Sequence, residues 1–163
     1  MRSDPIKSWK HYMLPDDMTG KTFLDVGCGS GKYMDIASKK NSKYILGVDI
    51  ARHQRLPDKF NFEQLDITSP HFTSSLPMFN IVLCKGTSAY IDRIVPALCN
   101  LRSVTTDKLI IDTYILKSRG AYKTALHTPQ VIRKLLTDFR PNTLIEADGK
   151  SNRHCYIFCA TFN

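Results

Sequence analysis

Three glycines, at positions 27, 29 and 31 of the stretch LDVGCGSGKY, follow an apolar run that is interrupted at Asp25. Glycine is needed where a backbone takes a positive φ or approaches a ligand with no Cβ in the way. A dinucleotide fingerprint places its third glycine three residues after the second, and here that position is Lys32. No G-x-x-x-x-G-K-[ST] is present either, which excludes a P-loop. Two further acids complete the pattern: Asp49 in YILGVDI, about 20 residues beyond the turn, and Asp66 in FEQLDIT. An acid at that distance suits two hydrogen bonds to adjacent ribose hydroxyls. Acids at 25, 49 and 66 would repel a phosphate and accept a neutral or cationic nucleoside.

The elements that position these residues alternate. Strand-like runs are expected over Thr22–Val26, Tyr44–Val48, Phe60–Gln64, Phe79–Cys84 and Leu109–Tyr114. Helices are expected near Gly31–Lys39, Ala51–Leu56 and Ala89–Leu101, with a short piece near Pro70–Leu76. Short apolar runs alternating with helical stretches imply βαβ units and a parallel sheet. TPQVIRKLLTDFR then offers Thr128 as N-cap, Pro129 at the first helical position and apolar residues at 131, 132, 135, 136 and 139. NTLIEAD and HCYIFCATF, joined by GKSNR, read as a terminal hairpin. The expected fold is α/β, a three-layer sandwich around a seven-stranded, mostly parallel sheet.

At 163 residues the chain reads as one domain, a helical or lid segment over 1–20 and a core over 21–163. No apolar run approaches the roughly 20 residues of a membrane span, so no membrane partner is expected. MRSDPIKSWKHYM lacks the apolar core of a secretory signal. The five cysteines (28, 84, 99, 155, 159) show no metal-type CxxC spacing, which points to reduced thiols, a cytoplasmic protein and no structural metal. The net charge is +8, and residues 102–140 hold eight basic side chains against three acidic ones. That bias fits either contact with nucleic acid or an ordinary solvated surface.

FLDVGCGSG, GVDI, LDIT and FNIVLCKGTSAY, in this order, resemble motifs I to IV of the class I S-adenosylmethionine-dependent methyltransferases. The resemblance covers roughly residues 20–162, in a compact form without a large substrate domain, and implies a Rossmann-like sheet with a reversed terminal strand. It implies that Gly27, Cys28, Gly29 and Gly31 let the turn approach the methionine part of the cofactor, S-adenosyl-L-methionine. By the same resemblance Asp25 lies near the methionine amino group, and Asp49 holds the ribose while Ile50 packs on adenine. Asp66 then accepts from the adenine amine, Ile67 flanks the ring, and Cys84, Lys85 and Gly86 line the side where the methyl meets its acceptor. Gly31 could instead serve helix packing, and Asp66 could cap the turn that follows it.

Methyl transfer from a sulfonium is a displacement with its leaving group already in place, so alignment of donor and acceptor is the protein's main task. A base is needed only where the acceptor must lose a proton. CKGTSAY lacks the [DN]-P-P-[YF] of amino methyltransferases, and no Pro-Cys nucleophile follows the fourth strand. The Lys-Asp-Lys-Glu set of ribose 2′-O methyltransferases is also not visible, because Cys84 or Lys85 stands at the strand-four Asp. Tyr90 and Lys85 are the candidate catalytic residues, with Ser88, Asp112, Tyr114 and His127 as further acceptor-side positions. The acceptor is expected to be a small molecule or an RNA. The alternative reading is a non-catalytic S-adenosylmethionine-binding module or partner subunit on the same fold.

Overall fold

The computed structural model describes residues 14–87, 90–116, 140–148 and 153–161, with side chains over 14–87 and 90–111. Five strands run parallel: β1 (Thr22–Val26), β2 (Tyr44–Asp49), β3 (Asn61–Gln64), β4 (Phe79–Cys84) and β5 (Thr105–Leu116). β6 (Arg140–Asp148) and β7 (Arg153–Thr161) follow, β7 antiparallel to β5 and β6 antiparallel to β7. The spatial order is β3-β2-β1-β4-β5-β7-β6. Connections from β1 lead outward to β2 and β3, and then the chain returns to pair β4 on the other side of β1. The reversal falls between β1 and β4, and in open α/β sheets the carboxyl ends at such a point form the ligand crevice.

Strand side chains alternate between the two faces. Leu24, Val26, Leu46, Val48, Val82, Cys84, Leu109 and Ile111 pack with Ile94, Ala97, Leu98 and Leu101 of α2 (Ile94–Ser103). Phe23, Ile81, Leu83 and Ile110 pack on the other face with Ala37 of α1 (Lys32–Lys39). The sheet is therefore the middle of three layers. β1, β2 and β4 are buried strands covered on both faces, which is why they read as continuous apolar stretches, while the edge strand β3 is mostly exposed.

Two expected helices are absent. Residues 51–56 form turns: only Leu56 of this segment is buried, Pro57 disfavours helical backbone before it, and His53 Nδ1 accepts the Arg55 N–H at 3.0 Å. Residues 70–76 are also turns, with the Ser74 and Ser75 hydroxyls both donating to the His71 carbonyl at 3.0 and 2.8 Å. Such local side-chain bonds compete with a helical ladder. The helix expected over 89–101 starts at Ile94, with Pro96 in its first turn, where a missing N–H costs nothing. β5 is longer than expected, beginning at Thr105 and ending at Leu116.

In the N-terminal segment, residues 14–20 are not helical. Leu14 and Met18 are buried with Phe23 and Ala37, and the Met18 N–H donates to Lys40 O at 2.7 Å. These residues anchor the chain near the carboxyl end of α1, which is the amino edge of the sheet. Residues 1–13 of the helical or lid segment expected over 1–20, and the helix over 128–139, lie outside the described residues.

Candidate cofactor and acceptor site

The glycine turn leaves β1 with positive φ at Gly27, Gly29 and Gly31 (73°, 49° and 78°). Two backbone bonds fasten it to β2: the Gly27 and Cys28 N–H groups both donate to Val48 O, at 2.8 and 3.2 Å. Gly29 N–H donates to Asp49 Oδ2 at 3.1 Å, and Ile50 N–H donates to Oδ1 at 2.8 Å. Asp49 is thus fixed by the turn it faces, and each carboxylate oxygen keeps a further lone pair for a ligand. Asp66 is fixed in another way: its Oδ1 accepts from the Thr68 N–H and hydroxyl, both at 2.8 Å. This is the turn-capping role left open from the sequence, and among the described residues these bonds run to Oδ1.

A cleft of about 630 Å³ opens at this edge, lined by Gly27, Asp49, Ile50, Asp66, Ile67 and Thr68 on one side. Its other side is Gly86, Thr87, Tyr90, Ile91, Asp92 and Arg93. The structure therefore brings Gly27, Asp49, Ile50, Asp66, Ile67 and Tyr90 into one space. Ile50 and Tyr90 are 69% and 72% exposed there, and so offer large apolar surfaces to whatever enters.

Other expected residues stand elsewhere. Cys84 is 1% exposed, lies in the core against the α2 layer and does not line the cleft, because the alternation of β4 turns it inward. Gly31 is buried beneath Leu56, whose Cδ1 lies 2.8 Å from where a Cβ would be, a contact that agrees with the helix-packing alternative. Cys28 is buried with Met34 under the turn, both sulfurs filling the space over Gly47. Lys85 sits over the Tyr33 ring at 5.9 Å, toward α1, so it does not share the cleft with Tyr90. Ser88 and His127 lie outside the described residues, and Asp112 and Tyr114 are described only as positions on β5. Thr87, Thr68, Ile91, Asp92 and Arg93 were missed. A signal existed for Thr68 alone, since Asp-x-Thr after a strand is the signature of a capped turn.

Asp25 is 2% exposed, and its Oδ2 finds no partner among the described residues. Burial, with the nearby charge of Asp49 adding to it, pushes its carboxyl up to about 7. Burial likewise pushes the Cys28 thiol up to about 12, helped by the charges of Asp25 and Asp49, so this sulfur is a packing group. No group of three potential metal ligands occurs among the described residues.

An acidic floor, a turn with no Cβ at Gly27 and apolar walls at Ile50 and Ile67 fit a cationic nucleoside such as S-adenosylmethionine. The comparisons agree on fold. A methyltransferase from Mesorhizobium loti superposes with a TM-score of 0.76 at 15% identity, over 98% of this chain and 99% of that one. Magnesium protoporphyrin IX methyltransferase from Synechocystis PCC 6803, with bound S-adenosylmethionine, gives 0.73 at 18% identity over 97% and 78%. A methyltransferase from Aquifex aeolicus gives 0.67 at 23% identity over 97% and 89%. No curated protein sequence matches the chain. Residues 9–162 match the sequence pattern of FtsJ-like methyltransferases, and the chain belongs to that S-adenosylmethionine-dependent methyltransferase family.

Proposed function

We propose that the cleft at the β1–β4 reversal holds S-adenosylmethionine between Asp49 and Asp66, and presents it to an acceptor entering past Tyr90. The family makes the chain an S-adenosylmethionine-dependent methyltransferase. The observation that carries the residue assignment is the single cleft that unites Gly27, Asp49, Asp66, Ile50 and Ile67. When bound, the cofactor supplies an electrophilic methyl group on a sulfonium. Asp49, held by two backbone N–H groups, accepts the ribose hydroxyls with its remaining lone pairs. Asp66 accepts the adenine amine, and the Ile50 and Ile67 side chains exclude water from the ring. Asp25 faces the methionine ammonium from below. Tyr90 orients the acceptor through its phenol, which can accept a hydrogen bond from an acceptor group that carries a proton.

The sheet with its reversed β6–β7 hairpin, one domain over 1–163, an N-terminal lid segment within 1–20 and cytoplasmic residence belong to the same reading. The acceptor is a small molecule or an RNA that docks on the rim formed by Gly86–Arg93. Calorimetry with S-adenosylmethionine and its demethylated product tests the cofactor half. Asp49→Ala should weaken both by about 1.5–3 kcal/mol, the scale of hydrogen bonds to a charged group. An unchanged dissociation constant would remove Asp49 from the site. Labelled cofactor incubated with separated metabolite, RNA and protein fractions then identifies the acceptor by where the label appears.

A further inference from the structure

The tips of β1 and β4 meet where the strand order reverses, and one side chain spans them. Thr87 Oγ1 lies 3.3 Å from the Val26 carbonyl and 3.5 Å from the Lys85 carbonyl of its own loop, and its one proton is shared between them, with the shorter bond to Val26. The same side chain fills the space beside the Gly27 α-carbon. A Cβ on Gly27 would overlap the Thr87 hydroxyl and stand 2.7 Å from its Cγ2 and 2.8 Å from its Cβ. Gly27 cannot retreat from this contact, because its N–H is tied to Val48 O on β2 at 2.8 Å. On its other side Thr87 carries the acceptor loop: its carbonyl accepts from the Tyr90 N–H at 2.9 Å. Gly86, at φ 74°, turns the chain so that Thr87 meets the glycine turn.

The result is a continuous run of contacts from β2 through Gly27 and Thr87 to Tyr90, and the last three of these line the cleft. A residue that only closed its own loop would need the Tyr90 bond and no more. Thr87 adds a bond and a close-packed contact to a different element, the one that cradles the donor. Close-packed contacts transmit small displacements because there is no free volume to absorb them.

We propose that Thr87 is a positioning residue that ties the glycine turn to the loop bearing Tyr90, so that filling the donor end of the cleft sets the acceptor end. This rests on the cofactor reading above. It also gives position 27 a second reason to lack a side chain, beside its positive φ.

Two measurements test it on the full chain. The first is S-adenosylmethionine affinity, by calorimetry, for Gly27→Ala, Thr87→Gly and the double variant, with melting temperatures to confirm folding. Gly27→Ala should lose at least about tenfold, the lower range for overpacking a tight contact. The double variant should regain about threefold or more of that loss, the rest being the positive-φ strain that alanine keeps. The second is hydrogen exchange of the peptide spanning 85–93. In the wild type, saturating cofactor should slow its exchange by about fivefold or more. In Thr87→Gly, and in the milder Thr87→Ala, cofactor at saturation should no longer slow it. A double variant that binds no better than Gly27→Ala, or Thr87 variants that keep the cofactor-dependent slowing, would overturn the tie and leave the cofactor reading standing. A wild type that fails to bind S-adenosylmethionine would overturn the cofactor reading itself, before any variant is compared.

Discussion

A carboxyl group buried with one oxygen unpartnered, as Asp25 is, costs a fold stability unless it stays neutral. Its carboxyl is raised from 3.8 to about 7. In the unfolded chain Asp25 ionises near 3.8, while in the folded protein it keeps its proton until about 7. The folded state therefore loses stability relative to the unfolded state as pH rises between those values, and the loss is complete above about 7. Asp25→Asn removes the effect. At pH 8 the variant without cofactor should be more stable by up to about 4 kcal/mol, taking about 1.4 kcal/mol per pH unit, and at pH 4 the two should coincide. Urea unfolding at the two pH values checks this. Cofactor binding should move the other way: a cation is welcomed by an ionised Asp25, so wild-type affinity should tighten from pH 6 to pH 8 and that of Asp25→Asn should stay flat. The groups facing Asp25 support that sign. Asp49 stands on β2 and Cys28 in the turn, and the charge that acts on Asp25 is the negative one of Asp49. Asp25 and Asp49 were legible in the sequence because their positions relative to the glycines are fixed by the turn. Cys84 stands at the expected strand tip but is buried in the core, because motif spacing says which strand tip a residue occupies and the pleat decides which way it points.

At the scale of elements, the opposite edge of the sheet is held by a polar network with no part in the chemistry. Asn80, near the start of β4, accepts the Thr22 N–H at 3.0 Å and donates to Thr106 Oγ1 and Asp107 Oδ2 at 3.3 and 3.2 Å. It therefore joins β1, β4 and β5 where their register begins. Lys21 pairs with the same Asp107 oxygen at 2.7 Å but is half exposed. Its hydrogen bond is the main cause holding Asp107 below the ordinary carboxylate value. Asn80→Ala strands a half-buried strand N–H, so it should cost about 1–3 kcal/mol in urea unfolding. Lys21→Ala should cost about 0–1 kcal/mol, as exposed pairs do. The Lys21 share is present above 3.8 and disappears as pH falls through the lower folded-state value of Asp107. A larger effect for Lys21 than for Asn80 would contradict this ranking. The edge strand β3, NFEQ, is mostly exposed, whereas β1, β2, β4 and β5 were readable as apolar runs because they are buried in the middle layer. The helices expected over 51–56 and 70–76 were not, since their hydroxyls, His53 and Pro57 choose turns that no apolar period reveals.

Charge at the scale of the whole molecule is unevenly distributed at the carboxyl edge, where the exposed Asp92 stands beside Arg93 and the other cleft acids lie across from them. The floor is acidic, with Asp25 buried and Asp49 and Asp66 lining the cleft. Cations stand around it: Lys32 opens α1, Arg52 and Arg55 follow β2, Lys85 follows β4 and Arg93 lines the cleft mouth. S-adenosylmethionine carries a net positive charge and is favoured by the floor. An acceptor carrying phosphates would be repelled by the same floor and attracted by the rim, so a single field directs donor and acceptor to different depths. The net charge of +8 gives this rim a favourable long-range background. If the rim docks RNA, the association constant for bulk RNA should fall with added salt, with a log–log slope of about −1.5 to −3.5, the value for two to five phosphates neutralised on a single strand. Substituting Arg93 and Lys85 together with Ala should make that slope shallower by about 1.4, at about 0.7 for each phosphate no longer neutralised. The same double variant should leave S-adenosylmethionine affinity within about threefold, because the floor holds the cofactor. A slope near zero in the wild type would reduce the basic excess to a solvated surface. A compact neutral or cationic acceptor would then be the one the cleft admits, since only the acids and Tyr90 would remain to receive it.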